Sequence, residues 1–152
     1  MFFKSSEKSE TKRIGSAETG YVDVPYDFVV FNNDIKLSDG TIQYSDEKGE
    51  NIITLQYFDS SVADAKAYAS NMYIQFANDA LVKKDSIKCA MEVIDNCEAY
   101  QVYCYYPNDD TYVVTWTFNS KYDKNVHYVA VEFKTKNIKL FELVEKTYHM
   151  KG

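Results

Sequence analysis

The chain has 152 residues, a formal net charge of −6 and an apolar content of 45%. This length is typical of one domain that buries its own core, and the apolar and charged fractions are those of a globular protein. The acidic balance opposes binding to the phosphate backbone of a nucleic acid, which depends on clustered Lys and Arg. We therefore predict a single globular domain and no nucleic-acid partner.

The chain opens with a polar run, Lys4–Arg13, that is rich in Ser, Glu and Lys. Such a run cannot bury enough apolar surface to pack, so we predict a flexible lead over residues 1–19 and a folded domain over 20–149. No stretch reaches the roughly 20 apolar residues that span a bilayer, and the N-terminus lacks the apolar core of a signal peptide. A lipid-attachment segment ahead of Met1 in a longer precursor and a simple frayed terminus both stay open.

The first half of the domain contains short segments in which apolar and polar residues alternate. Gly20–Phe31 alternates around a proline, which predicts an edge strand, a turn and a second short strand. Thr41–Tyr44 and Asn51–Phe58 predict two further strands, joined by the charged turn Ser45–Glu50. This half is therefore predicted to be an antiparallel meander, with a loop over residues 32–40.

Two segments have helical periodicity. From Ser61 the apolar residues recur at steps of three or four, which predicts a helix about five turns long. Its apolar face consists of Val62, Ala65, Ala69, Met72, Phe76 and Ala80. Ser61 and Asp64 are spaced like the start of a capping box. Asn137–Tyr148 predicts a second helix with Asn137 as its cap.

Four strands are predicted between the two helices, and their short connections favour sequential antiparallel pairing. They cover Ile87–Ile94, Cys97–Tyr106, Thr111–Phe118 and Val126–Phe133. A tight turn at Asp95-Asn96 would place Cys89 opposite Val102. Carried onward, this register places Gln101 opposite Trp116 and His127 opposite Thr117, although a one-residue slip would exchange the faces.

In this register both faces of the sheet are apolar. One face carries Ile87, Cys89, Met91, Val93, Tyr100, Val102, Cys104, Val113, Thr115, Val129 and Val131. The other face carries Tyr103, Tyr105, Tyr112, Val114, Trp116, Phe118 and Tyr128. Because two apolar faces need two covers, we predict an α+β fold, a three-layer α/β/α sandwich around an antiparallel sheet of about six or seven strands.

The three cysteines, Cys89, Cys97 and Cys104, form no CxxC pair, and their odd number does not indicate a disulfide framework. Cys89 and Cys104 would be diagonal neighbours, near or beyond disulfide reach, so we predict two buried free thiols. With His127 and His149 as the only histidines, a zinc site would need ligands from scattered elements. We predict no metal and no cofactor.

No catalytic motif is found in the sequence. Gly15–Gly20 has the glycine spacing of a phosphate-binding loop, but Tyr21-Val22 stands where Lys and Ser or Thr are required. The hydrolase elbow, the zinc-protease motif and the dinucleotide fingerprint are also missing. A Cys104–His127 or Cys97–His127 pair would be a nucleophile and its base, but we instead expect His127 to be a half-exposed strand residue. We predict that the protein is not an enzyme.

The order of elements, the Gly20–Pro25 opening (GYVDVP) and the Phe141–Val144 segment of the last helix resemble the PsbP-like fold. This fold includes an extrinsic photosystem subunit, a nuclear-transport factor that binds a small GTPase, and the DcrB-type bacterial lipoproteins. The chain looks most like small clostridial surface proteins with an EAYQVY strand, here Glu98–Tyr103. The resemblance, over roughly residues 20–149, implies a non-enzymatic domain that binds a protein partner. It favours an extracytoplasmic, lipid-tethered location over a cytoplasmic one.

Aromatic residues make up 16% of the chain and include 14 tyrosines, more than a core of this size needs. Tyrosine joins apolar contact area to a polar tip, which makes it a preferred recognition residue. The predicted binding surface consists of Tyr103, Tyr105, Tyr112, Trp116 and Tyr128, and it would recognise a protein or an extracellular polymer. The alternative for these rings is a sheet face that a helix seals, and the exposure of Tyr105 and Tyr112 decides between the two.

Two other functional classes remain open. The charge of −6 and the free cysteines also suit an intracellular chaperone or immunity-type protein that neutralises a basic partner. An enzyme of unrecognised type would require a concave pocket with convergent polar groups.

Overall fold

A computed structural model of the chain describes residues 10–31 and 40–151. The strands in these residues are β1 (Thr11–Ser16), β2 (Gly20–Pro25), β3 (Val29–Val30), β4 (Ile42–Ser45), β5 (Ile52–Asp59), β6 (Lys88–Ile94), β7 (Cys97–Tyr106), β8 (Thr111–Asn119) and β9 (Asn125–Lys134). The α-helices in these residues are α1 (Ala65–Ala77) and α2 (Ile138–Thr147), and 3-10 turns at Lys84–Ser86 and Thr135–Asn137 precede β6 and α2.

Seven of these strands form one antiparallel sheet in the order β3-β4-β5-β9-β8-β7-β6, while β1 and β2 form a separate hairpin. The predicted mostly-sheet α+β fold, with an antiparallel sheet of this size and two helices, is confirmed. The strands from β6 to β9 match their predicted segments to within one residue at each end. Consecutive strands in this half are neighbours in the sheet, as short connections favour.

Part of the predicted flexible lead is folded. Thr11–Ser16 form β1, which pairs with β2 from Thr11 opposite Pro25 to Ser16 opposite Gly20. Ile14 is the one buried residue of β1, so this strand carries almost no apolar pattern. Pairing with β2 satisfies its backbone groups, and backbone pairing leaves no signature in composition. Residues 1–9 of the predicted lead, and 32–39 of the predicted loop, lie outside the described residues.

Helix α1 is shorter than predicted. Its N-cap is Asp64, whose carboxylate accepts a hydrogen bond from the backbone N–H of Ala67 at 2.8 Å. Ser61 instead donates its backbone N–H to Asp59 at 2.8 Å, and this local turn holds the segment out of the helix. Val62, predicted on the apolar face of the helix, is 74% exposed.

We call the two sides of the sheet face A and face B, defined by the alternating residues of β8. Face A carries Tyr112, Val114 and Trp116, and face B carries Val113, Thr115 and Thr117. Helix α2 and the β1–β2 hairpin pack on face A, in a core cluster that includes Ile14, Val22, Val24, Trp116, Phe118, Val129, Val131, Leu140 and Val144. Helix α1 packs on face B, in a smaller cluster that includes Ala69, Phe76, Val102 and Cys104.

The predicted register is confirmed as far as β8. Cys89 lies opposite Val102, and Gln101 lies opposite Trp116. The Asp95-Asn96 turn has φ angles of 49° and 63°, the left-handed geometry of a two-residue hairpin turn. Asp and Asn tolerate this geometry better than most residues, so the turn fixes the register from the sequence.

The predicted register of β9 is wrong by one residue. Thr117 lies opposite Tyr128 rather than His127. Because successive side chains alternate, this difference moves every β9 side chain to the other face. Val129 and Val131 therefore lie on face A, and Tyr128 lies on face B. The longer β8–β9 connection has no turn chemistry that specifies a register, so the sequence could not fix it.

Two predictions about chemically reactive side chains also need correction. His127 is fully buried, not half-exposed: its ring lies near Tyr57 and Phe118, and its Nε2 is 3.1 Å from the Asp123 carboxylate. Cys104 is buried and free as predicted, and burial raises its pKa to about 12. Cys89 is free but exposed, because it lies on the edge strand β6.

Candidate functional site

Three of the predicted site residues form an aromatic row on face A. Tyr103 and Tyr105 lie on β7 and Tyr112 on β8, and all three are half-buried. Tyr105 is directly opposite Tyr112, with ring centroids 4.5 Å apart. Tyr112 is directly opposite Phe133 of β9, at 5.6 Å. The row therefore crosses three neighbouring strands of the sheet.

Helix α2 forms the other wall of a groove beside this row. The groove has a volume of about 420 Å³, and its walls include Gln101, Tyr103, Tyr112, Phe133, Ile138 and Phe141. We call it the tyrosine groove. Ile138, at the start of α2, is 47% exposed. The helix therefore does not seal the whole row.

The position of α2 follows from two aromatic contacts and two buried aliphatic side chains. Phe141 stacks on Trp116 and on Phe133, with ring centroids 5.6 and 5.9 Å apart. Leu140 and Val144 are buried on the same side of the helix, which is the 3.6-residue spacing expected of a helix with one packed face. The N-terminal end of α2 is left beside the open part of the groove.

The solvent end of the row is held by a hydrogen-bond network. The Tyr105 hydroxyl donates to the Asp110 carboxylate at 2.7 Å, and the Thr135 hydroxyl donates to the same oxygen at 2.5 Å. These donors lower the pKa of Asp110, with Thr135 the larger cause, and the carboxylate raises the pKa of Tyr105. Asp110 has a φ of 50°, which Asp tolerates in turns. The Tyr105 ring is thereby fixed before any ligand binds.

Trp116, predicted as a site residue, belongs to the core. It is fully buried under α2, and its indole N–H has no hydrogen-bond partner among the described residues. A side chain with no exposed surface cannot contact a ligand in this conformation. Its function is to position Phe141, and through it the wall of the groove.

Tyr128, also predicted, lies on the opposite side of the sheet. It is half-buried on face B, where its ring packs edge-on against Tyr68 at 5.4 Å. Burial raises its pKa. Tyr128 lies on face B because the register of β9 differs by one residue from the predicted one. The same difference brings Phe133 to face A. Sequence reasoning missed Phe133 for this cause.

The chemistry available in the tyrosine groove is that of recognition. Its walls offer aromatic faces, aliphatic surface and the Gln101 amide. Within residues 10–31 and 40–151, no group of His, Cys, Asp and Glu side chains is arranged to hold a metal ion. In the same residues, no helix combines the length and apolarity needed to cross a bilayer.

Comparisons with known proteins show the fold. No protein-family model matches this chain, and no curated protein matches it. Among solved structures, the Ran-binding protein Mog1p of Saccharomyces cerevisiae matches with a TM-score of 0.60 and 8% identity, over 92% of this chain and 95% of its own. LpqN of Mycobacterium tuberculosis, a protein involved in cell envelope biogenesis, matches with a TM-score of 0.57 and 13% identity, over 91% of this chain and 89% of its own.

A third structure is of a protein from Bacteroides thetaiotaomicron VPI-5482, with a TM-score of 0.53 and 12% identity. It matches 94% of this chain, which spans only 49% of the Bacteroides protein. At such low identities these likenesses concern the fold, and fold alone does not carry function. The chain therefore shares its fold with Mog1p and LpqN.

Proposed function

We propose that the chain is a non-enzymatic binding module that recognises a protein, or an extracellular polymer, in the tyrosine groove. The observation that carries the proposal is the half-buried state of Tyr103, Tyr105 and Tyr112 beside the exposed Ile138. These rings are backed by the core and still reach solvent. Such amphipathic, rigid rings supply contact area at a small loss of conformational entropy.

The groove is also suited to recognition because it is already formed. Its volume of about 420 Å³ lies within the range of known ligand pockets, about 300 to 1,000 Å³. Tyr105 is hydrogen-bonded to Asp110, and the Tyr112 ring lies between those of Tyr105 and Phe133 and stacks on Phe133. A ligand would therefore order few side chains on binding, which improves affinity.

The fold gives independent support for a protein partner. We propose that the two helices and the β1–β2 hairpin complete a three-layer α/β/α sandwich of the PsbP-like type. Mog1p, which shares this fold, is described as Ran-binding. Transfer of a binding role from that protein rests on analogy alone, so the tyrosine groove has to be tested directly.

The test compares a half-buried tyrosine of the groove with an exposed tyrosine on the opposite side of the sheet. Tyr112→Ser removes a ring of the groove, and the matched control Tyr73→Ser removes a ring that is 44% exposed on α1. Partners are captured by cross-linking in the native cell and then titrated, as purified proteins or insoluble polysaccharides, against both variants. Loss of a central aromatic contact should weaken binding by about tenfold or more. Equal binding by Tyr112→Ser and the unmodified chain would remove the groove from consideration.

The immunity-type alternative predicts a different response in the same titration. Its support is the net charge of −6, which would attract a basic partner. Binding by this route should weaken steeply with added salt and be insensitive to Tyr112→Ser. Binding through the groove should show the reverse pattern.

A further inference from the structure

A second cavity lies on face B, away from the tyrosine groove. It has a volume of about 460 Å³, and the C-terminal half of α1 forms one wall of it. Its lining includes Met72, Phe76, Tyr106, Tyr128, Glu132 and Lys134. We call it the carboxylate cavity, because Glu132 lies in its lining together with three aromatic side chains.

Glu132 occupies an unusual position for a carboxylate. It lies on β9 in the middle of the sheet, directly between Val113 of β8 and Ile52 of β5. It is half-buried, and burial raises its pKa. No cation and no hydrogen-bond donor meets its side chain among the described residues. A partly buried carboxylate without a partner in the chain lowers stability, and its oxygens are not fully enclosed, so a ligand in the cavity can reach them.

The nearest lysine along the strand does not serve as the counter-ion. Lys134 is two residues away on the same face, but its ammonium group donates to the backbone oxygen of Asp109 at 2.5 Å and to the Thr111 hydroxyl at 3.0 Å. Glu50 and Asp109 add further negative charge to the lining. The electrostatics of the cavity therefore favour a cation from outside the chain.

The aromatic residues of the cavity decide which kind of cation fits. Phe76, Tyr106 and Tyr128 line the same cavity as Glu132, and the negative face of an aromatic ring attracts an organic cation. The Tyr106 hydroxyl is already committed to Asp79, at 2.9 Å. A dehydrated metal ion would need several oxygen ligands gathered at one point, and the part of the chain that the structure describes holds no such group of side chains.

We propose that the carboxylate cavity binds a small organic ammonium ion, with Glu132 as counter-ion and the rings of Phe76, Tyr106 and Tyr128 as its walls. The site is on the other side of the sheet from the tyrosine groove and does not depend on the function proposed for that groove. Quaternary and primary ammonium ions share the chemistry that these residues recognise, and the probes distinguish them.

The first experiment follows the methyl groups of two methionines by NMR. Met72 lines the cavity, and Met91 is 52% exposed on β6, outside it. Choline, tetramethylammonium and putrescine chlorides at millimolar concentrations are expected to shift the Met72 signal to saturation and leave Met91 unchanged. Sodium chloride at equal ionic strength should do neither. Absence of saturation with all three amines, or an equal response to sodium, would overturn the proposal.

The second experiment removes one negative charge inside the cavity and, as a control, one outside it. Glu132→Gln keeps the shape of the side chain and should weaken ammonium binding by about tenfold or more, since a desolvated charge pair is lost. Glu98→Gln is the matched control, because Glu98 is an exposed carboxylate on β7 that does not line the cavity. Unchanged affinity in Glu132→Gln contradicts the proposal.

A third pair of variants tests the aromatic wall. Tyr128→Phe keeps the ring and Tyr128→Leu removes it, at similar apolar content. The Phe variant should retain affinity and the Leu variant should lose it, as expected of a cation–π contact. If both variants bind as well as the unmodified chain, or if both lose binding equally while remaining folded, the ring does not form the wall and the proposal fails.

Discussion

The two faces of the sheet are covered to different extents, although both are apolar. Face A lies under α2 and the β1–β2 hairpin, which together bury Trp116, Phe118 and Val131 completely and leave the tyrosine groove open. Face B lies under α1 and the following Val82, which cover parts of β7 and β8 but leave Cys89 of β6 exposed. An apolar sheet face therefore predicts that another element packs on it. The area that this element covers decides which part of the face stays open to a ligand.

The largest effect is expected inside face A. Trp116→Ala removes a fully buried indole on which Phe141 stacks, and it should lower the free energy of unfolding by about 3–5 kcal/mol. Tyr103→Ala, on the half-buried rim of the same face, should cost less than half as much. Urea denaturation of both variants measures the difference. Similar losses would mean that the groove is as tightly packed as the core.

Thiol reactivity compares the covered and uncovered parts of face B. Cys89 is exposed, whereas Cys104 is buried beside α1 and burial raises its pKa to about 12. A thiol-specific chromogenic reagent should therefore modify Cys89 at least about a hundredfold faster, because the thiolate is the reactive form and Cys104 reacts only after opening. The fast phase should disappear in Cys89→Ser. A fast phase that persists in Cys89→Ser, and disappears when Cys104→Ser is added, would show that α1 does not protect Cys104; the double variant excludes the third free thiol, Cys97.

The parts of the fold that the sequence predicts well are those with local physical signals. The turn at Asp95-Asn96 fixes the register of β6 against β7 because few residues adopt its geometry. The strand β1 has no such signal, since it is held by backbone pairing with β2 and not by a side-chain pattern. The register of β9 depends on packing that involves the whole sheet, and the sequence alone gave the wrong face for Tyr128.

The candidate site shows the same division. The alternation in β7 and β8 was sufficient to place Tyr103, Tyr105 and Tyr112 on one face. It could not show that Trp116 lies under α2, because coverage depends on where a helix packs. The carboxylate cavity has no sequence pattern either, because Glu132 looks like an ordinary polar residue of strand β9.

Removal of the unpaired carboxylate should increase stability. Burial raises the pKa of Glu132 above its ordinary value of 4.5, so the folded state disfavours the charged form. The penalty is absent below about pH 4.5 and develops as the pH rises through the folded-state pKa. Glu132→Gln should therefore gain about 1 kcal/mol of unfolding free energy at neutral pH, and the gain should vanish in acid.

The matched control for this stability change is Glu98→Gln, which removes an exposed carboxylate from the same face and should have little effect. Chemical denaturation of both variants at several pH values gives the comparison. A loss of stability in Glu132→Gln at neutral pH would mean that the carboxylate has a partner that supports the fold, which would make face B a structural surface only.

The smallest effect concerns the solvent end of the tyrosine groove. Asp110→Asn keeps a residue that tolerates a φ of 50° but removes the negative charge that accepts from Tyr105. The pKa of Tyr105, which this carboxylate raises, should fall toward its ordinary value, and NMR titration of the tyrosine ring measures it. Asp110 has a lowered pKa, so its stabilising contribution is present at neutral pH and is lost as the pH falls through that value.

Asp109→Asn, in the same turn, should leave the titration of Tyr105 unchanged. If Asp110→Asn does the same, the ring at the end of the groove is not held by this network, and preorganisation of the tyrosine groove rests on the stacking with Tyr112 and Phe133 alone.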